Sequence, residues 1–373
     1  MNINHVKALS LAAAGGFILL AVSCSGCTLP LLEGGSTESV TILSYNVENL
    51  FDDVTNGSEY YQYDPSRGEW TTELFHRKLA AISEVILSSP RGGADVLALQ
   101  EVENINAAET LRDHYLKGGG YRHMQITETP DSAIQLLCMS RYPIVSARSH
   151  RTSIYDIPLT RAVLEVTLDI DGVPCTLLLN HWKSKYGGAE ETEPSRMASA
   201  ALIRRRTAEI AAKFPERDIV VAGDLNVRAD EYEFIDREYP TALMPLSEAP
   251  AFPGEQPYED ASSLKGEPLF LTGSPKKVGE GAEGSAVFYS PWLGEETDPP
   301  GSYVYGGEWE QIDHYLLGEN LFDGRGLDYD GFSVEAPDFI LGKDGYPYSF
   351  YRAGGTGYSD HLPILLKLEI MER

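Results

Sequence analysis

The chain has 373 residues, 42% of them hydrophobic and 10% aromatic, with 56 acidic side chains against 30 basic ones and a formal net charge of -26. The apolar share can bury a core and excludes intrinsic disorder, and the charge excludes broad adhesion to nucleic acid through a basic face. A phosphate substrate is not excluded, because local cations or a bound divalent metal can reverse the field inside one cleft.

Residues 1–23 read as a secretion signal: Lys7 starts it and an apolar run from Ala8 to Val22 follows, too short for a membrane span. Ala21-Val22-Ser23-Cys24 resembles the lipobox of bacterial lipoproteins, which implies cleavage before Cys24 and lipidation of its thiol. The alternative is an ordinary cleaved signal with an unmodified Cys24. Residues 24–38 form a Gly/Ser/Thr-rich linker of the flexible kind. The expected location is the bacterial cell envelope, with a lipid anchor in the membrane and either the periplasmic or the surface face open. No protein partner is implied, and a monomer is expected.

In chain order, Val40 to Val47 reads as a strand, and Thr71 to Leu87 as an amphipathic helix with Leu74, Leu79, Ile82 and Ile86 near a helical period. Strands follow at Asp95 to Leu99, Ile134 to Met139, Ile144 to Ala147, Ala162 to Ile170 and Cys175 to Leu179, with Asp171-Gly172 as the hairpin turn between the last two. A long helix comes next, with Pro194 at its start, Ile203, Thr207, Ile210 and Phe214 on one face, and Arg204 to Arg206 on a solvated one. Asp218 to Ala222, Gln311 to Leu317 and Leu362 to Ile370 complete the strands. Between Glu231 and Gly307 the chain is rich in Pro and Gly and reads as extended loops on the same core. Length alone has room for two domains, but strands interleaved with helices favour one large two-sheet α/β domain over 39–373. Cys138 and Cys175 lie in core-like runs, where a free cysteine acts as a small hydrophobe; a bridge between them is the alternative.

Six segments share one arrangement, an apolar strand with carboxylates, amides or histidines at its end. They are Ser44-Tyr45-Asn46-Val47-Glu48-Asn49, Leu99-Gln100-Glu101-Val102-Glu103-Asn104, Leu179-Asn180-His181-Trp182-Lys183-Ser184, Ala222-Gly223-Asp224-Leu225-Asn226, Gln311-Ile312-Asp313-His314 and Tyr358-Ser359-Asp360-His361. Strand ends of one sheet lie side by side, so their polar groups are expected in one cleft. Glu48, Glu101, Asp224, Asp313 and Asp360 are hard oxygen ligands suited to Mg²⁺, Mn²⁺ or Ca²⁺. Zinc is disfavoured by the lack of an HExxH pattern or paired cysteines. Asn46 and Asn226 can hold a phosphate or a water, and His181 and His361 can move a proton near neutral pH. Together they suggest hydrolysis of a phosphoester by an activated water.

The six segments in this order resemble the endonuclease/exonuclease/phosphatase family, from about Val40 to Ile370. The resemblance implies a four-layer α/β sandwich, two packed and mainly antiparallel sheets flanked by helices. It implies Glu48, Glu101 and Asp360 as metal ligands, with Asn46 beside them; His181 on the scissile phosphate; and Asp224 and Asn226 positioning nucleophile and phosphate. It further implies His361 as general base or phosphate clamp, oriented by Asp313, and Arg161 as a phosphate contact. The base role is favoured for His361, as a carboxylate holds histidine in other hydrolases. His314, His76, His114, His123 and His150 are read as structural or surface residues, and Glu103 and Asn104 as facing outward or fixing the next loop.

Asn46 to Asp52, Glu101 to Asn104 and Asn180 to Lys185 resemble secreted bacterial nuclease-like members. The leading expectation is therefore a divalent-metal-dependent phosphodiesterase, an endonuclease on DNA or RNA. The runner-up acts on lipid headgroups or inositol phosphates, with Phe288 to Leu293 as an interfacial loop or a local packing cluster. A non-catalytic binding protein on the same scaffold is disfavoured, because every expected ligand position is filled.

Overall fold

The computed structural model describes residues 38–371 apart from 131, 152, 155, 156, 160, 250–266 and 281–285. The expected signal segment, Cys24, Cys27 and all but the last residue of the expected linker lie outside the described residues. The chain from Thr37 to Arg373 clusters as one unit.

Strand β1 (Ser39–Leu50) leads through helix α1 (Thr72–Ser88) to β2 (Val96–Val102), and the short α2 (Ile105–Thr110) precedes β3 (His123–Ile126) and β4 (Gln135–Ser140). Next come β5 (Ile144–His150), the ribbon β6 (Ser153–Ile154) and β7 (Ile157–Pro158), the hairpin β8 (Val163–Ile170) and β9 (Val173–His181), α3 (Ala189–Lys213) and β10 (Asp218–Asp224). After α4 (Glu231–Phe234) follow β11 (Leu243–Pro245), β12 (Leu269–Thr272), β13 (Val287–Tyr289) and α5 (Pro291–Gly294). The chain finishes with the hairpin β14 (Tyr303–Tyr305) and β15 (Glu308–Glu310), then β16 (Asp313–Leu317), β17 (Leu327–Val334) and β18 (Ile364–Ile370).

These strands form a six-stranded sheet, β17-β18-β1-β2-β4-β3, and an eight-stranded sheet, β11-β12-β13-β16-β10-β9-β8-β5. Most neighbours are antiparallel, but β11, β12 and β13 pair parallel at one end of the larger sheet, and β1 with β2 and β9 with β10 run parallel at the heart of each sheet. Parallel central strands are covered on both faces and read as nearly continuous apolar runs. That is why Val40 to Val47 is buried throughout. The sheets pack face to face, β1 and β2 against β9 and β10, with α1 against β1 and α3 against β12 on the outside. Tyr315 ties them together: its buried hydroxyl donates to the carbonyls of Ile42 at 2.6 Å and Ile364 at 3.2 Å. The expected sandwich is present.

Three expectations need correction. The described part of 231–307 contributes β11, β12 and β13, which extend the larger sheet, so it is more than loops. Helix α3 begins at Ala189, placing Pro194 inside it. Its start is set by Gly188 at φ +117 and by Glu190 and Glu191, whose charges favour the positive end of the helix dipole. Phe214 caps the helix and is exposed instead of lying on the buried face. Cys138 and Cys175 are both free and buried.

Candidate active site

The polar segments meet in one cleft, but not as ends of a single sheet. Three belong to the smaller sheet (β1, β2 and the approach to β18) and three to the larger (β9, β10 and β16). Asp313 and His361 also lie at or before strand starts, because β16 and β18 run antiparallel to β10 and β1. The carboxyl edges of the parallel pairs thus meet the amino edges of their antiparallel neighbours. In the larger sheet the register puts Asp224 directly beside both His181 and Asp313.

The backbone is irregular where it presents the acids. The β1–β2 register shifts between Asn46 and Leu50, and the β2–β4 register between Gln100 and Val102. Glu48, Glu101 and Asn226 have φ of 52°, 66° and 52°, a left-handed conformation that costs non-glycine residues energy and persists where the surroundings impose it. Gly223 is obligatory at φ +126, because a Cβ there would stand 2.0 Å from the Asn180 carbonyl oxygen.

Asn46 Nδ2 donates to Glu101 Oε1 at 3.3 Å and Asp224 Oδ2 at 3.1 Å, joining the two sheets. Glu101 Oε2 accepts from the Asn49 amide at 2.9 Å. His181 Nε2 lies 3.4 Å from Asp224 Oδ2 and 3.6 Å from Glu101 Oε1. Asp313 Oδ2 accepts from Ser302 Oγ at 2.6 Å and lies 2.7 Å from His361 Nδ1, which leaves Nε2 of His361 facing Asp224 Oδ2 at 3.9 Å. Asp224 Oδ1 accepts from the Asn226 amide at 2.9 Å, so this pair forms a local turn as well as a part of the site. Arg161 lines the cleft and donates to the Trp182 carbonyl at 2.9 Å, as Asn226 Nδ2 does at 3.2 Å.

Burial and like charge strain this cluster. Burial and the neighbouring Asp360 push Glu101 up, and burial pushes Asp224 up to about 7. Asp360 is raised by burial and by Glu48, and its Oδ1 has no hydrogen-bond partner among the described residues. Burial alone would lower His361, but the Asp313, Asp360 and Asp224 carboxylates together outweigh it and hold the imidazole well above its usual range. His181 is pushed well below by burial and by Arg161.

Crowded carboxylates with an unpartnered oxygen fit a hard divalent cation. Glu101 and Asp360 face the cleft. Glu48, expected as a metal ligand, does not line the cleft: its two carboxylate oxygens accept from the Ser349 hydroxyl and from the Phe350 amide at 2.8 Å. Asp224, Asp313 and His361 also bring ligand atoms within 4.8 Å of one another. There the committed bonds of Asp313 to His361 and Ser302 favour a pair that orients the imidazole.

The residues read as structural are so placed: His314 Nε2 lies 2.8 Å from the Val227 carbonyl, with its pKa lowered by burial to about 4, and His150 pairs with Glu165 at 2.7 Å. Asn104 caps α2 through the Ala107 amide, and Glu103 is buried against the Asp52 amide, so neither simply faces outward. Sequence reasoning missed Lys78, fully buried on α1, whose Nζ donates to the Tyr358 carbonyl at 2.6 Å. Burial lowers it to about 8 despite Glu48, Asp360 and Glu101 nearby. Leu74 and Ile82, one turn to either side, were the signal that Lys78 sits on the apolar face.

The sequence profile of the endonuclease/exonuclease/phosphatase family matches residues 41–234, a little over half of the chain. The chain belongs to this family. Among curated proteins the sequence comparison finds no match. The fold is similar to TDP2 from C. elegans at 15% identity and TM-score 0.48, covering 90% of this chain and 78% of that one. It is also similar to an endonuclease/exonuclease/phosphatase family protein from Bacteroides thetaiotaomicron, at 14% identity and TM-score 0.46, covering 90% and 99%. The human Nocturnin catalytic domain gives 15% identity and TM-score 0.49, covering 88% and 93%. As a family member the chain has the fold of a phosphoesterase.

Proposed function

We propose that this family member is a divalent-metal-dependent phosphodiester hydrolase acting on nucleic acid. The observation that carries the reading is the convergence, across two sheets, of the Asp313–His361 pair with Asp224, His181 and the Asn46–Glu101–Asp360 cluster. Glu101 and Asp360 would hold Mg²⁺, Mn²⁺ or Ca²⁺. Such an ion, when bound, neutralises phosphate charge and acidifies a coordinated water. Asn46, His181, Asn226 and Arg161 surround the space where the phosphate oxygens would sit.

The sequence favours His361 as base. Nδ1 of His361 faces Asp313 and its Nε2 faces Asp224, so the imidazole is placed to grip the phosphate or move a proton, with Asp224 beside it as a second group able to accept a proton from water. The headgroup alternative loses one support, since Phe288, Tyr289 and Trp292 are buried in local packing. Location at the envelope through a lipidated Cys24 stays part of the proposal, on the lipobox-like sequence alone. The test is a panel of plasmid DNA, RNA, sphingomyelin and inositol phosphates with and without Mg²⁺. Cleavage of nucleic acid is expected; turnover of a lipid or inositol phosphate with no nuclease activity would overturn the substrate assignment.

A further inference from the structure

The cleft, about 1120 Å³, is far larger than one phosphate requires. Beyond the carboxylates it continues as an arm walled by the loop after β9, by α4 and by the β14–β15 hairpin. Tyr186, Phe234 and Tyr305 line this arm with side chains 88%, 62% and 71% exposed. Each comes from a different segment, and one cleft thus gathers three solvent-facing aromatic rings.

The charges of the arm say what kind of group that is. Lys185 Nζ is committed to Glu231 at 2.7 Å and lies 4.0 Å from Glu310. Arg228 is committed to Asp230 at 2.8 Å, and its guanidinium stands 4.2 Å over the Phe234 ring. Glu308 and Glu310 then leave the arm negative. A second phosphate would meet carboxylates there, whereas a flat uncharged ring would meet aromatic faces and hydrogen-bond acceptors.

From this geometry we infer that the arm is a stacking platform for an unpaired nucleobase next to the scissile phosphate. The inference rests on the phosphodiesterase reading and deepens it: the substrate is a single-stranded end or short oligonucleotide. A duplex would press its second phosphate backbone against Glu308 and Glu310. An organic cation fits less well, because Arg228 already occupies a face of Phe234 and the other rings stand apart on separate segments.

The experiment compares three p-nitrophenyl phosphodiesters on the full-length chain with Mg²⁺: the thymidine 5′-ester, the methyl ester and the choline ester. Stacking of one base predicts kcat/KM for the thymidine ester above that for the methyl ester by roughly 5- to 150-fold. In the double variant Tyr186→Ala/Tyr305→Ala that ratio falls toward one. A ratio unchanged in the variant, or a choline ester preferred over both others, overturns the inference. Calorimetric binding of thymidine 5′-monophosphate separates the two readings. Binding weakened by the double variant supports the platform even if no ester turns over, a result that would sink only the hydrolase reading. Equal binding in variant and wild type overturns the platform whatever the turnover.

Discussion

Asp218 opens β10, two percent exposed, with Oδ2 accepting from the Leu327 amide at 3.1 Å. Burial, with Asp323 and Asp328 nearby, pushes its pKa from 3.8 up to about 7. An acid whose folded pKa is raised binds its proton more tightly when folded, so the folded state loses stability as pH rises from the unfolded value to the folded one. At about 1.4 kcal/mol per unit, the cost at pH 8 is at most roughly 4 kcal/mol, against roughly 1.6 kcal/mol at pH 5. Asp218→Asn keeps the acceptor for Leu327 and removes the ionisation. For a unit spanning Thr37–Arg373, an unfolding entropy of about 2.1 cal/mol/K per residue converts these figures to a Tm gain of roughly 6 °C at pH 8 and 2 °C at pH 5. Thermal melts of the two chains at both pH values measure this. An equal gain at both, or none at pH 8, would refute the assignment of a buried neutral carboxyl at this position.

Asp313→Asn is expected to lower kcat by roughly 10²- to 10⁴-fold with little change in KM, since His361 loses the partner that orients it; steady-state kinetics beside an unchanged circular dichroism spectrum checks it. Gly223→Ala forces a Cβ to within 2.0 Å of the Asn180 carbonyl at a left-handed φ, which should cost roughly 2–5 kcal/mol in urea unfolding and separate His181 from Asp224. Arg196→Met leaves the buried Glu193 carboxylate without its partner and frees the Lys183 carbonyl, so destabilisation of about 3–5 kcal/mol is expected from the same measurement.

The inner strands were legible because their burial on both faces demands mostly apolar runs free of charge, as in Val40 to Val47 and Cys175 to Leu179. The strands that escaped notice lack that signature. Leu243–Pro245 and Val287–Tyr289 are three residues each, too short for periodicity to register. Leu327–Val334 is an edge strand interrupted by Asp330 and Gly331. At the site, the tips of β1, β2, β9 and β10 announced themselves as polar groups ending apolar runs. What one sequence could not convey is that two sheets supply them, because the pairing of β16 with β10 and β18 with β1 is decided by contacts far apart in the chain. Lys78 was masked by its polar neighbours His76 and Arg77, and the arm by residues whose exposure only the fold reveals.

The central claim is that the carboxylate cluster holds a divalent ion that hydrolysis requires. Calorimetric titration of Mg²⁺ or Mn²⁺ into the purified full-length chain, beside cleavage of a short single-stranded oligonucleotide, tests it most directly. One binding event is expected, weakened at least tenfold in Glu101→Gln, and cleavage is expected to be abolished by EDTA and restored by excess metal. No metal affinity in the wild type, or cleavage that survives EDTA, would contradict it.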